Sequence, residues 1–201
     1  LWKEHSYDQG HQWGMTIDLN TRIAHTLRQD VTSSAGYAIQ PSAGMVKLDA
    51  MENPFGLPSA LKRALGERLA EVAINRYPVN KGEVAAALAQ HFEVPTGCKL
   101  IVGNGSDELI DLLSVACDVP GATVLAPLPG FVMYEMSARL RGLKFVGVPL
   151  TADFELDEAA MLAAIAEAKP ALTYIAYPNN PTGNLFDEAV VQKVVDAVGA
   201  Q

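Results

Sequence analysis

Apolar residues recur along this chain first at helical spacing and then in an alternation of short extended runs and helical segments. Leu19, Ile23 and Leu27 stand four apart in "DLNTRIAHTLRQD" and predict a short amphipathic helix, followed by the loose stretch "VTSSAGYAIQPSAG". In "PSALKRALGERLAEVA" Leu61, Leu65, Leu69 and Val72 share one face and Pro58 sits where helices open, so a helix is predicted over 58–73. "GEVAAALAQHFEV" predicts another, after the turn-rich "INRYPVNKG". From Lys99 onward the pattern predicts strands in "KLIVG", "ATVLAP", "LKFVGVPL" and "ALTYIAY". The helices between and after them are "SDELIDLLSVAC", "MYEMSARLRG", "DEAAMLAAIAEA" and "DEAVVQKVVDAV". Such alternation implies an α/β fold with helices on both faces of a sheet, and ligands at the loops that follow the carboxyl ends of strands.

Composition narrows the classes. With 201 residues and 49% hydrophobic content a packed core and a soluble globule are expected. No apolar run approaches the ~20 residues of a membrane span, and no secretory signal opens the chain, so cytoplasmic location is the expectation. A net charge of -8 argues against nucleic acid or an anionic membrane as partner. Cys98 and Cys117 have neither CxxC spacing nor nearby histidines, and are read as reduced, buried thiols with no metal role. Met15 reads as a start, with His5, His11 and Trp13 in a tail before it.

Three loops could carry chemistry. "VGNGSDELI" (102–110) sets glycines, a serine and an aspartate between a predicted strand and a helix start, where free N–H groups bind anions. It is equally readable as a turn capped by Asn104 or Ser106, and it fits neither the dinucleotide fingerprint nor a P-loop. "APLPGFVMYEMSA" (126–138) places Phe131 and Tyr134 at a helix head, for stacking on a flat ligand or for plain core packing. "YPNNPTGNLF" (177–186) follows a strand with two prolines, a glycine and the amides of Asn179 and Asn180, more than a turn requires. Together the loops offer a phosphate cradle, an aromatic platform and a polar side chain, the needs of a flat phosphorylated cofactor.

Read in order, "KLDAMENPFGLP", "NRYP", "GNGSDELI", "APLPGFVMY", "DFELD" and "PNNPTGNLF" resemble the fold-type-I pyridoxal-phosphate aminotransferases, and "ENP", "RYP" and "GNGSDELI" resemble their histidinol-phosphate branch. The resemblance covers Lys47 to the end. It implies a three-layer α/β/α large domain, here incomplete, after an N-terminal arm and helical segment. The expected division is 1–45 extension and arm, 46–95 a contribution to the small domain and dimer interface, and 96–201 the first half of the cofactor-binding domain. It implies that Gly105, Ser106 and Asp107 hold the phosphate of pyridoxal 5'-phosphate, that Phe131 stacks on its ring and that Asn180 bonds its phenolic oxygen. Tyr77 would reach the phosphate in the neighbouring subunit of a homodimer. Asn53 and Phe55 would close over substrate, with Tyr134 as a wall. The reaction implied moves an amino group between L-histidinol phosphate and 2-oxoglutarate, giving glutamate, in histidine biosynthesis.

The resemblance also implies a lysine that holds the cofactor covalently and shuttles a proton. None of the eight lysines, at 3, 47, 62, 81, 99, 144, 169 and 193, has its position, so it is expected beyond Gln201, and this chain is expected to be an N-terminal portion inactive by itself. Asp187, Lys193 and Asp196 read as helix-surface charges. Other readings are a threonine-phosphate decarboxylase or an aromatic aminotransferase of the same fold, or a non-catalytic binding or assembly module. A Rossmann-type binder is disfavoured by Glu108.

Overall fold

The computed structural model describes residues 18–33, 41, 43–47, 52–77 and 81–200. Met15 and the tail before it lie outside the described residues, as do Pro78 of "NRYP" and residues 48–51 of "KLDAMENPFGLP". The chain divides into two units, 1–44 and 45–201.

In the first unit the single predicted helix is two. α1 (Leu19–Thr26) stops where Leu27 turns extended, at φ -105° and ψ 143°, and α2 (Gln29–Thr32) begins after the extended Arg28. The Arg28 guanidinium grips Asp30 with two bonds, Nε to Oδ1 at 3.1 Å and Nη2 to Oδ2 at 2.5 Å, which favours the break over continued helix.

The second unit opens with α3 (Ser59–Ala70) and α4 (Lys81–His91). The leucine stripe of α3 is present as predicted, but Leu61, Leu65 and Leu69 are exposed. There follow α5 (Ser106–Ala116), β1 (Thr123–Leu128), α6 (Val132–Leu140), β2 (Lys144–Pro149), α7 (Glu158–Ala168), β3 (Leu172–Thr173) and α8 (Glu188–Gly199). The three strands are parallel, in the order β2-β1-β3.

Because side chains alternate across a strand, the register sorts the core into two layers. Val124 lies between Phe145 and Leu172, and Leu125 between Val146 and Thr173. Leu125 and Val148 pack with Leu156, with Met161 and Ile165 of α7, with Phe186 just before α8 and with Val194 of α8. On the opposite face Val124 packs with Ala138 of α6 and with Ala122, Leu143, Phe145, Leu172 and Tyr174. Met161 and Ile165 stand one turn apart on α7, and burying such a side chain contributes roughly 1.5–3 kcal/mol. Helices therefore cover both faces, as the alternation implied.

Several sequence expectations are corrected. "KLIVG" is not a strand: residues 99–103 are irregular and Ile101 is exposed, because no described strand pairs with it. "ALTYIAY" contributes only Leu172–Thr173 to the ladder, extended by the bonds from Ala171 N to Thr123 O (2.8 Å) and from Tyr174 N to Leu125 O (2.9 Å). Cys98 is exposed and Cys117 partly buried. Asp187 is exposed, as expected of a surface charge, and also caps α8, its Oδ1 accepting from Ala189 N (2.8 Å) and Val190 N (3.3 Å). Lys193 pairs with Glu158 at 2.8 Å, joining α8 to α7. α7 likewise starts at a capping Asp157 and ends at the left-handed Lys169, ahead of Pro170.

Candidate functional site

The strand order fixes where a ligand can sit. The connection from β1 to β2 passes through α6 on one face, and that from β2 to β3 passes through α7 on the other. The chain thus reverses direction across the sheet between β1 and β3, and the loops after those two strands part to opposite faces. An open parallel sheet has its binding crevice at such a point, beyond the carboxyl ends.

One lip of the crevice is Pro129, Gly130 and Phe131. A Cβ on Gly130 would collide with the Pro127 carbonyl oxygen, so only glycine fits this turn. Phe131 takes the N-cap position of α6, and its ring meets Tyr134 edge-on, with centroids 5.5 Å apart. Tyr134 in turn stacks on Tyr174 at 4.3 Å with planes 2° apart. Burial pushes both phenols above their ordinary pKa. Tyr134 thus packs against both neighbours, and all three rings of the row are partly buried.

The other lip is the turn 178–184. Asn179 N donates to Asn184 O at 2.9 Å and Gly183 N to Asn179 O at 2.8 Å, with Gly183 at φ +76°. The peptide bonds before Pro129, Pro178 and Pro181 are cis. The adjacent asparagines differ completely. Asn179 is wholly buried, its Nδ2 bonded and its Oδ1 without a partner among the described residues, whereas the partly exposed Asn180 side chain has no hydrogen-bond partner among the described residues.

α5 leads into β1 through residues 117–122, so its C-terminus faces the amino end of the sheet and its N-terminus the carboxyl side. Its N-cap is Gly105, at φ 84°, and no side chain caps it. The first-turn N–H groups are therefore available to an anion, and neither Asn104 nor Ser106 caps them. The Glu108 carboxylate is turned back onto Asn104 N at 2.5 Å. Ser106 Oγ lies 3.5 Å from Asp107 Oδ1. An uncapped helix start, an uncommitted amide and an aromatic edge match the donors that a flat phosphorylated cofactor needs.

Asn53, Phe55 and Tyr77 are not brought to this crevice by any bond or ring contact among the described residues. Phe55 N donates to Asn53 Oδ1 at 3.0 Å, and Phe55 and Tyr77 are 83% and 96% exposed. Lys144 stands at the amino end of β2 and Lys169 ends α7, so neither is placed at the carboxyl edge, and Lys193 is ion-paired with Glu158 at the start of α7. Among the described residues no cluster of His, Cys, Asp or Glu could hold a metal ion, and no helix is long and apolar enough to cross a membrane. Sequence reasoning gave no role to Thr182 and Asn184, which prove to be bonded to the buried Asn179 or to each other. Their only signal was the polar density of "NNPTGN".

Known proteins agree with this architecture. A protein named histidinol-phosphate aminotransferase from Methylibium petroleiphilum is 70% identical over 181 residues, 90% of this chain and 49% of that protein. One of the same name from Polaromonas naphthalenivorans is 61% identical over 184 residues, 91% of this chain and 50% of its own length. The chain spans about half the length of the curated relatives it matches. A solved aspartate aminotransferase mutant of Thermus thermophilus superposes with a TM-score of 0.65 at 25% identity, over 87% of this chain and 48% of its own. Residues 43–201 fit the family described as aminotransferase class I and II, and with the parallel sheet and its switch-point crevice they make this chain a member of that family, with the fold-type-I architecture.

Proposed function

We propose that the whole protein is a pyridoxal 5'-phosphate-dependent histidinol-phosphate aminotransferase. It would move an amino group between L-histidinol phosphate and 2-oxoglutarate in histidine biosynthesis, as a cytoplasmic homodimer. The observation that carries the reading is the crevice at the switch point, with Asn180 uncommitted on one lip and Phe131 on the other. Relatives bearing that enzyme's name at 61–70% identity support the choice of substrate.

In this reading the N–H groups at Gly105, Ser106 and Asp107 hold the phosphate, aided by the dipole of α5. Asn180 donates its amide N–H to the phenolic oxygen, and Phe131 covers one face of the ring. When bound, pyridoxal phosphate supplies an electron sink for the carbon that loses its proton. Tyr77, almost wholly exposed, suits a residue given to the partner subunit's phosphate site, with segment 46–95 contributing to the small domain and that interface. Asn53 and Phe55 close over the substrate and Tyr134 forms a wall. The lysine that carries the cofactor is assigned to the part of the relatives' length that this chain does not span.

The test is reconstitution of the full-length protein with pyridoxal phosphate, reduction with borohydride and peptide mapping, followed by assay with histidinol phosphate against aromatic amino donors. A single labelled lysine outside residues 1–201 and a preference for histidinol phosphate are expected. No labelled lysine, or a preference for another donor, overturns the reading.

A further inference from the structure

Asn179 is 0% exposed, an unusual place for an amide. Its Nδ2 donates to Pro129 O at 3.2 Å and to Thr182 Oγ1 at 2.7 Å. The orientation of that amide is fixed by chemistry, since a backbone carbonyl can only accept and the group facing Pro129 must be the NH2. Pro129 lies on the opposite lip of the crevice, 50 residues earlier in the chain. The Thr182 hydroxyl is used twice, its oxygen accepting from Asn179 and its proton going to Asn184 Oδ1. Asn184 Nδ2 then donates to Phe154 O at 3.0 Å. Phe154 is itself left-handed, at φ 61°, in the turn that follows β2.

The donors form one unbranched relay that begins and ends on backbone carbonyls. It ties the loops after all three strands of the sheet, and Asn180 stands at the corner of the turn that the relay closes. We propose that Asn179, Thr182 and Asn184 are positioning residues that hold the two lips at one separation. The Asn180 amide and the Phe131 ring then meet the cofactor together, although none of the three relay residues touches it. This rests on the pyridoxal-phosphate reading above. The physical basis is that a donor aimed at a ligand is only as well placed as the groups that lock its turn.

The test uses the full-length protein with Thr182→Val, Thr182→Ser and Asn179→Asp, read by equilibrium binding of pyridoxal phosphate and by visible circular dichroism of the bound cofactor. Valine keeps the shape and removes the hydroxyl at the middle of the relay, while serine restores it. We expect Thr182→Val to weaken cofactor binding about tenfold and to diminish the circular dichroism band, and Thr182→Ser to recover both. Asn179→Asp, which sets a carboxylate against the Pro129 carbonyl, is expected to lose more. If Asn179→Asp does not fold, the Thr182 pair decides. Thr182→Val with wild-type cofactor affinity and band overturns the relay, even if its melting temperature falls, because a merely structural role predicts that outcome. Wild-type protein that binds no pyridoxal phosphate overturns the functional reading and the relay with it, whereas wild-type binding with unaffected variants overturns the relay alone.

Discussion

Asn179 and Asn180 are chemically identical and adjacent, yet one is buried with its Nδ2 in a bonded network and the other is partly exposed, its side chain without a hydrogen-bond partner among the described residues. Their substitutions should therefore behave as opposites. Asn180→Ala in the full-length protein is expected to keep stability within about 0.5 kcal/mol while weakening cofactor binding, a separation visible by paired melting and binding curves. Loss of stability comparable with that of a core substitution would contradict the placement. Sequence alone singled out the turn and, through resemblance, Asn180. It could not assign Asn179 its role, because burial depends on Pro129, 50 residues away, and leaves no local mark. Gly105 is the complementary case. A glycine ahead of a serine and two acids already suggested a helix start open to an anion, and the structure gives that glycine a φ of 84°.

At the scale of elements, helix ends and inter-helix pairs carry the predictions. Asp187→Ala removes the acceptor for two first-turn N–H groups of α8 and is expected to cost about 1 kcal/mol in a denaturant titration, with Asp187→Ser recovering most of it. Arg141, just past α6, grips Asp111 of α5 with bonds of 3.1 and 2.5 Å. That hydrogen-bonded guanidinium holds the Asp111 carboxyl below its ordinary value. A lowered pKa means that the pair's contribution is present above the unfolded value of about 3.9 and is lost as pH falls through the lower folded value. Both side chains are part-exposed, so the effect is small and salt-screened. Urea midpoints from pH 7 to pH 3 should fall less steeply for Asp111→Asn than for wild type, most clearly at low salt. The elements themselves were largely legible from periodicity, with two instructive failures. Periodicity passes over the two extended residues, Leu27 and Arg28, that divide α1 from α2. Nor does an apolar run such as "KLIVG" become a strand without a neighbour to complete its ladder, and a neighbour is not written in the run.

For the whole molecule, the alternation of strands and helices predicted the architecture, because each covered face of a parallel sheet demands its own apolar stripe. Strand order was not legible, since nothing local says that β1 lies between β2 and β3. That order is what makes the crevice. Apolar surface is also unevenly distributed: Leu61, Leu65 and Leu69 of α3 are exposed, as is part of the groove of about 350 Å³ lined by Ile175, Tyr177, Val191 and Val195. The 201-residue chain by itself is expected to bind a hydrophobic dye and to self-associate despite its net charge of -8. Replacing Leu61 and Leu65 with glutamine should reduce both, as followed by dye fluorescence and light scattering; unchanged association would place the sticky surface elsewhere.

The central position of β1 has a consequence for synthesis on the ribosome. β2 follows β1 after one short helix and can pair with it early, whereas β3 comes only after α7 has also been made. Between those moments Val124 and Leu125, which end wholly buried, belong to a strand with one open edge. A translational pause in the stretch encoding α7 would prolong that state, so codon choice there bears on the yield of folded protein while leaving the finished molecule unchanged.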